Sequence, residues 1–182
     1  MALKRLDGRE MEDGSELFPL QRYPTLLLLY AGGIAATALG HYDWMRAILA
    51  DANGWDYRKG EETSLGVALS PSDVITSLHH EKITPLSDNL FKILEKPIKS
   101  LISRAKDYDA AFDRYELLSH LFRWSRGRKS GHGFHGWRSG GTQTRESVIR
   151  TVTKELESSN LAPHKAGLFV ATHYELLQAL TE

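Results

Sequence analysis

Residues 109–123 read Asp-Ala-Ala-Phe-Asp-Arg-Tyr-Glu-Leu-Leu-Ser-His-Leu-Phe-Arg. Phe112, Tyr115, Leu118 and Phe122 recur every three or four residues, the spacing of one face of an α-helix. A half-buried strand would alternate with period two, and this stretch does not. Upstream, Ser87-Asp88 has the chemistry of a helix start, with Leu90, Phe91 and Leu94 inward. Pro97 is expected to break or kink that helix, while Ile98, Leu101 and Ile102 continue its apolar period. Ser70-Pro71-Ser72-Asp73 is an earlier start, with Val74, Ile75 and Leu78 behind it. Downstream, Val148, Val152 and Leu156 mark another helix, ending near Asn160 and Pro163. Thr172 and Glu175 form a capping box before a last helix over Tyr174–Leu180. Gly167–Ala171 suits a short strand, but has no evident partner.

Nearer the N-terminus, Pro24 is placed for the first turn of a helix that runs to about Leu39, with Gly40 as its C-terminal cap. Asp43 is expected to cap a second helix, Trp44 to about Ala52, and a loop follows through Asn53-Gly54 and Gly60. Gly33, Gly40, Tyr42 and Ala52 in this pair resemble one tetratricopeptide unit, in which small residues let two helices approach and an aromatic plugs the turn. Met45 departs from that pattern, and no second copy follows. A solenoid needs about three repeats, so a plain helical hairpin is the expectation rather than a peptide-binding groove. Tyr23–Gly40 contains no charged side chain, and Gly32, Ala36 and Gly40 have the spacing that packs membrane helices. Its glycines and its Thr25, Tyr30 and Thr37 lower the mean hydropathy, and 18 residues is short against the roughly 20 of a span. A buried helix is expected, with no membrane partner.

The chain has 182 residues, 41 % hydrophobic and 25 % charged, which suits one globular domain. The reading is all-α: six or seven helices packed as hairpins with a glycine-rich basic loop. Residues 1–16 form a polar arm and 17–182 a single helical domain. Lysine plus arginine equals aspartate plus glutamate at 23 each, so global charge implies neither a nucleic-acid coat nor an acidic tail. The absence of cysteine excludes disulfides, thiolate zinc sites and cysteine nucleophiles. With no apolar leader in Met1–Glu16, a cytoplasmic location is expected.

The charge is unevenly placed. Between Leu117 and Arg145 there is no acid, and residues 125–143 hold six glycines. Arg123, Arg126, Arg128, Lys129, His132, His135, Trp137 and Arg138 are the candidate residues for holding phosphate or nucleic acid. Arginines beside stacking aromatics suit single strands, and glycine-rich backbone makes anion nests. The plainer reading is a solvated basic loop pinned by Trp124 and Trp137. The loop is not a Walker A motif, since no Gly-Lys-Ser/Thr ends it. His132 and His135, with His79 and His80, have the imidazoles that a zinc site uses. The glycine flanks do not preorganise such a set and no acid is near, so neither a metal nor a cofactor is expected.

Arg114-Tyr-Glu-Leu-Leu-Ser-His120 resembles the arginine–histidine motif of the helical HEPN ribonucleases. That likeness implies His120 activating a ribose 2′-hydroxyl while Arg114 holds the phosphate. Tyr115 departs from the polar residue usual there. Six positions along a helix also turn the two side chains about 240° apart.

A longer succession covers most of residues 17–180: Tyr23-Pro24 before the hairpin, then Phe112-Asp113-Arg114-Tyr115-Glu116-Leu117-Leu118 with Leu121. Gly133-Phe134-His135-Gly136-Trp137-Arg138 and Ala166-Gly167-Leu168-Phe169 follow. This order resembles the C-terminal helical region of large bacterial proteins with sirtuin-like or ATP-binding domains, associated with phage defence. The resemblance implies a non-enzymatic accessory module, as a fragment or a free-standing copy, that binds a protein partner or other domains of a parent chain. It brings no catalytic residues. Two alternatives stand beside it: nucleic-acid or nucleotide binding through residues 123–145, and a HEPN-like ribonuclease.

Overall fold

The computed structural model describes residues 18–57, 59–71, 74, 86–100, 105–128 and 141–181. Of these, 75 % are helical, in eight α-helices. They are α1 (Phe18–Leu39), α2 (Tyr42–Arg46), α3 (Leu65–Ala68), α4 (Leu86–Lys99), α5 (Ala105–Ser125), α6 (Thr142–Glu157), α7 (Ala162–Lys165) and α8 (His173–Thr181). The fold is all-α as expected, and the count exceeds six or seven because α2, α3 and α7 are single turns of four or five residues.

The opening stretch is the centre of the molecule. Phe112, Tyr115, Leu118 and Phe122 are fully buried, and so are Leu117 and Leu121 on the flanks. Core on several sides means that α5 is enclosed by neighbours: α1 lies along it, α6 covers another side, and α3, α4 and α8 also touch it. α1 turns Leu26, Leu29, Tyr30 and Ile34 inward. Gly33 lies under the ring of Tyr115, where even a Cβ would come within 2.0 Å of a ring carbon. Gly32 faces the other way, toward Ile48. The small residues thus bring two partners close to α1, and the closer one is α5 rather than the second limb of the hairpin.

Three local expectations are corrected. Pro24 is not in the first turn: α1 begins six residues earlier, at Phe18. Pro24 sits on the exposed side, where water can serve the carbonyl that its missing N–H leaves over. Pro97 lies inside α4, two residues before its end, and Ile98 beyond it is buried, continuing the apolar period as read. The second limb is α2 followed by a wider π-turn, Ala47–Asp51, closed by the bond from Ala52 N–H to the Ala47 carbonyl (3.0 Å). His41, not Asp43, is its N-terminal cap residue.

The stretch read as a loop from Asn53 is an antiparallel hairpin, β1 (Asn53–Asp56) and β2 (Glu61–Ser64), with Asn53 opposite Ser64 and Asp56 opposite Glu61. Gly60, at φ +66°, closes its loop through a 2.7 Å bond to the Asp56 carbonyl. Strands of four residues are too short to show alternation. This pair is held by cover: Gly54 lies beneath Ala68 and Leu65 of α3, where a Cβ would meet the Ala68 Cβ at 2.8 Å. Gly167–Ala171 forms no strand.

Helix ends follow one pattern. Gly40 N–H bonds the Thr37 carbonyl and His41 N–H the Ala36 carbonyl, which is a Schellman closure with glycine in the left-handed conformation. Gly127 after α5 and Gly167 after α7 repeat it, and Ser159 after α6 does so at φ 52°. The capping box forms as read: Thr172 N–H donates to Glu175 Oε2 (2.7 Å) and Glu175 N–H to Thr172 Oγ1 (3.3 Å). Among the described residues no helix is long and apolar enough to cross a membrane. The polar arm 1–16 and the positions Ser72, Asp73, Ile75, Leu78, Leu101 and Ile102 lie outside the described residues.

Candidate functional site

Three of the eight candidate residues for phosphate fall within the described part. Arg123 turns along its own helix, its Nη1 donating to Ser119 Oγ (2.8 Å). Arg126 is exposed, with its guanidinium 5.3 Å from the centre of the Phe122 ring. Arg128, just past the end of α5, pairs with the buried carboxylate of Asp56 on β1. Two of the three cations therefore serve the fold: Arg128 binds the hairpin to the end of α5, and Arg123 stays inside. Trp124, in the last turn of α5, packs half-buried against the core. Lys129, His132, His135, Trp137 and Arg138 lie outside the described residues, as do His79 and His80. Among the described residues no three histidine, aspartate or glutamate side chains are grouped to hold a metal ion.

The two residues of the ribonuclease-like motif have separate surroundings. Arg114 donates from Nη2 to Glu155 Oε2 (2.6 Å) and from Nε to the Tyr42 hydroxyl (3.0 Å), tying α5 to α6 and α2. His120 is half-buried, and burial together with the nearby Arg123 brings its imidazole down to about 4.

A polar junction that the sequence reading did not single out lies between α1, α4 and α5. Glu116 accepts a bond from Ser87 Oγ (2.6 Å) and a longer one from the Tyr30 hydroxyl (3.2 Å). Burial pushes its carboxyl up to about 7, and Asp113 adds to that. Ser87, Tyr30 and Arg123 pull the other way. Burial also raises the Tyr30 phenol, and the Glu116 charge reinforces it. The available signal was one glutamate within the apolar run Tyr115–Leu118. Another missed pair is His164 and His173, whose rings stack at 3.9 Å.

The surface of α1 is of a different kind. Leu28 is 54 % exposed and Leu39 60 %. Between them, Ala31 and Ala35 are partly open. At the corner into α2, Trp44 is 53 % exposed and stacks on His41 at 4.3 Å. No charged side chain interrupts Tyr23–Gly40, so one side of a helix whose opposite side makes the core presents apolar surface to water.

No protein-family model, curated protein or solved structure gives a match to this chain.

Proposed function

We propose that this is a helical interaction domain that docks a protein partner on the outer face of α1. One observation carries the reading: Leu28 and Leu39, three turns apart on the charge-free stretch of α1 after Arg22, remain more than half exposed while the other side of α1 is closely packed. Isolated apolar side chains on a surface are ordinary, but a row continued by Trp44 is the composition of an interface core. The partner is a protein surface that is itself apolar, because this face offers no charge to pair. On the resemblance drawn from the order of sequence features, that partner is the remainder of a large defence-associated bacterial protein, and the role is accessory rather than catalytic.

A photo-crosslinking residue placed at Leu39 in the source cells tests this. A discrete adduct is expected from Leu39, and Leu28→Glu should abolish it while leaving the melting temperature unchanged. The same residue at exposed Lys154 on α6 should give no adduct. Equal labelling from both positions, or none from Leu39, overturns the reading.

A further inference from the structure

His173 opens α8, directly after its cap residue Thr172. Its ring lies on that of His164 from α7, with centres 3.9 Å apart and planes 27° from parallel. His164 Nε2 is 3.0 Å from the Ala171 carbonyl. A carbonyl only accepts, so that nitrogen carries a hydrogen. The Nε2 of His173 is buried with no hydrogen-bond partner. One imidazole is thus fixed by a backbone bond, and the other is pressed against it at the positive end of a helix.

The cations near His173 oppose a proton on its ring. The first turn of a helix disfavours a cation. Lys165 is on α7, and the Arg46 guanidinium of α2 lies against Gly167, between α7 and α8. Glu175 supplies a negative charge, but its carboxylate is already bound by the N–H and hydroxyl of Thr172. Among the described residues, α5 and α6, which pack on α8, add no charge that bears on the ring. Burial first, then His164 and Lys165, hold the His173 imidazole below its ordinary value.

We propose that the His164–His173 stack is an acid-operated release for α8, the helix that seats Leu176 and Ala179 in the core. With His173 uncharged, the stack closes the α7–α8 turn. A proton on His173 sets a cation against the His164 ring and at the wrong end of a helix dipole. The rings part, the first turn of α8 frays, and apolar surface is uncovered. The device is independent of the α1 face.

Amide hydrogen exchange of the full chain, corrected for intrinsic rates, reads this between about pH 7.5 and about pH 5. The protection of residues 173–181 is expected to fall roughly tenfold more than that of α5 over this range. His173→Gln should remove the difference. His164→Gln, which leaves the cap of α8 untouched, should bring the His173 ring back toward its ordinary titration and shrink the difference. Glu175→Gln should lower protection of α8 at every pH, separating loss of the capping box from loss of the stack. The proposal is overturned if α8 in His173→Gln loosens with acid as the wild type does. It is also overturned if the His173 ring titrates in the wild type as an isolated histidine.

Discussion

At position 33 a single hydrogen sets the distance between α1 and α5. Gly33→Ala puts a methyl into the Tyr115 ring, and neither the ring, which is T-stacked on Tyr30 at 4.9 Å, nor the helix backbone can yield cheaply. A loss of about 1–3 kcal/mol is expected in urea unfolding, the usual cost of overpacking. Gly40→Ala meets no atom within 4 Å, so only the left-handed backbone opposes it, at about 1 kcal/mol. Equal effects at the two sites would show that the α1–α5 approach is looser than described. The sequence marked Gly33 as a close-approach residue but for the wrong neighbour, since spacing along a chain carries information about faces and not about which distant helix covers them. Asp56 shows the same limit. Nothing local ties it to Arg128, yet the carboxylate is buried and Arg128 is its ion-pair partner. Asp56→Ala strands that cation and is expected to cost about 3 kcal/mol, at the low end for breaking a buried pair because Arg128 keeps some contact with water. Thermal unfolding of Asp56→Ala beside Lys59→Ala, an exposed surface pair with Glu61, checks it: comparable melting temperatures would place Asp56 at the surface.

Among the helices, what could be read from the sequence was what local chemistry dictates. The stripe of α5, the row Val148, Val152 and Leu156 of α6, the glycine cap at Gly40 and the Thr172–Glu175 box depend on residues within a few positions of one another, and the structure has them all. The hairpin was missed because Asn53–Asp56 and Glu61–Ser64 are strands by virtue of α3 lying over Gly54, a tertiary effect. The start of α1 and the run of α4 past Pro97 were obscured because a proline signals a boundary, whereas both prolines are carried inside helices on exposed sides. The closing turn of α6 shows a local rule broken. Ser159 takes the left-handed conformation that Gly40, Gly127 and Gly167 take at the other Schellman ends. A non-glycine residue there costs about 1–2 kcal/mol, and a glycine returns roughly 0.5–1 kcal/mol of that as added freedom of the unfolded chain. Ser159→Gly is therefore expected to stabilise the protein by about 0.5 kcal/mol net, read as a higher urea midpoint at unchanged slope. A lower midpoint would mean that the serine side chain contributes more than its backbone strain removes.

Across the whole molecule, the candidate sites were less legible than the fold. Residue types announce charge and aromaticity, but whether an arginine faces solvent or an internal carboxylate is decided by elements that meet only after folding. Arg123, Arg128 and Arg114 all turned to partners within the protein. The same enclosure sets two opposed titrations on α5. Glu116 holds its proton up to about 7 in the folded protein and releases it at an ordinary 4.5 when unfolded. The folded state therefore binds the extra proton between those values, and this term stabilises below 4.5 and is lost as pH rises. His120 runs the other way: about 4 folded against 6.5 unfolded, so its term is present above 6.5 and is lost as pH falls. From about pH 4.5 to 6.5 the two slopes have opposite sign and nearly equal size, so the wild type is expected to be almost flat apart from what α8 loses to acid. Single substitutions should uncover each slope. Glu116→Gln is expected to gain about 2 kcal/mol of stability on going from the acid to the neutral end of that window, and His120→Gln to lose about as much, allowing for the water that reaches both half-buried groups. Urea midpoints at three pH values across the window give both slopes, and the double substitution should be flat again. A flat profile for either variant would mean that the group it retains titrates as if it were in water, and so that α5 is not enclosed on that side.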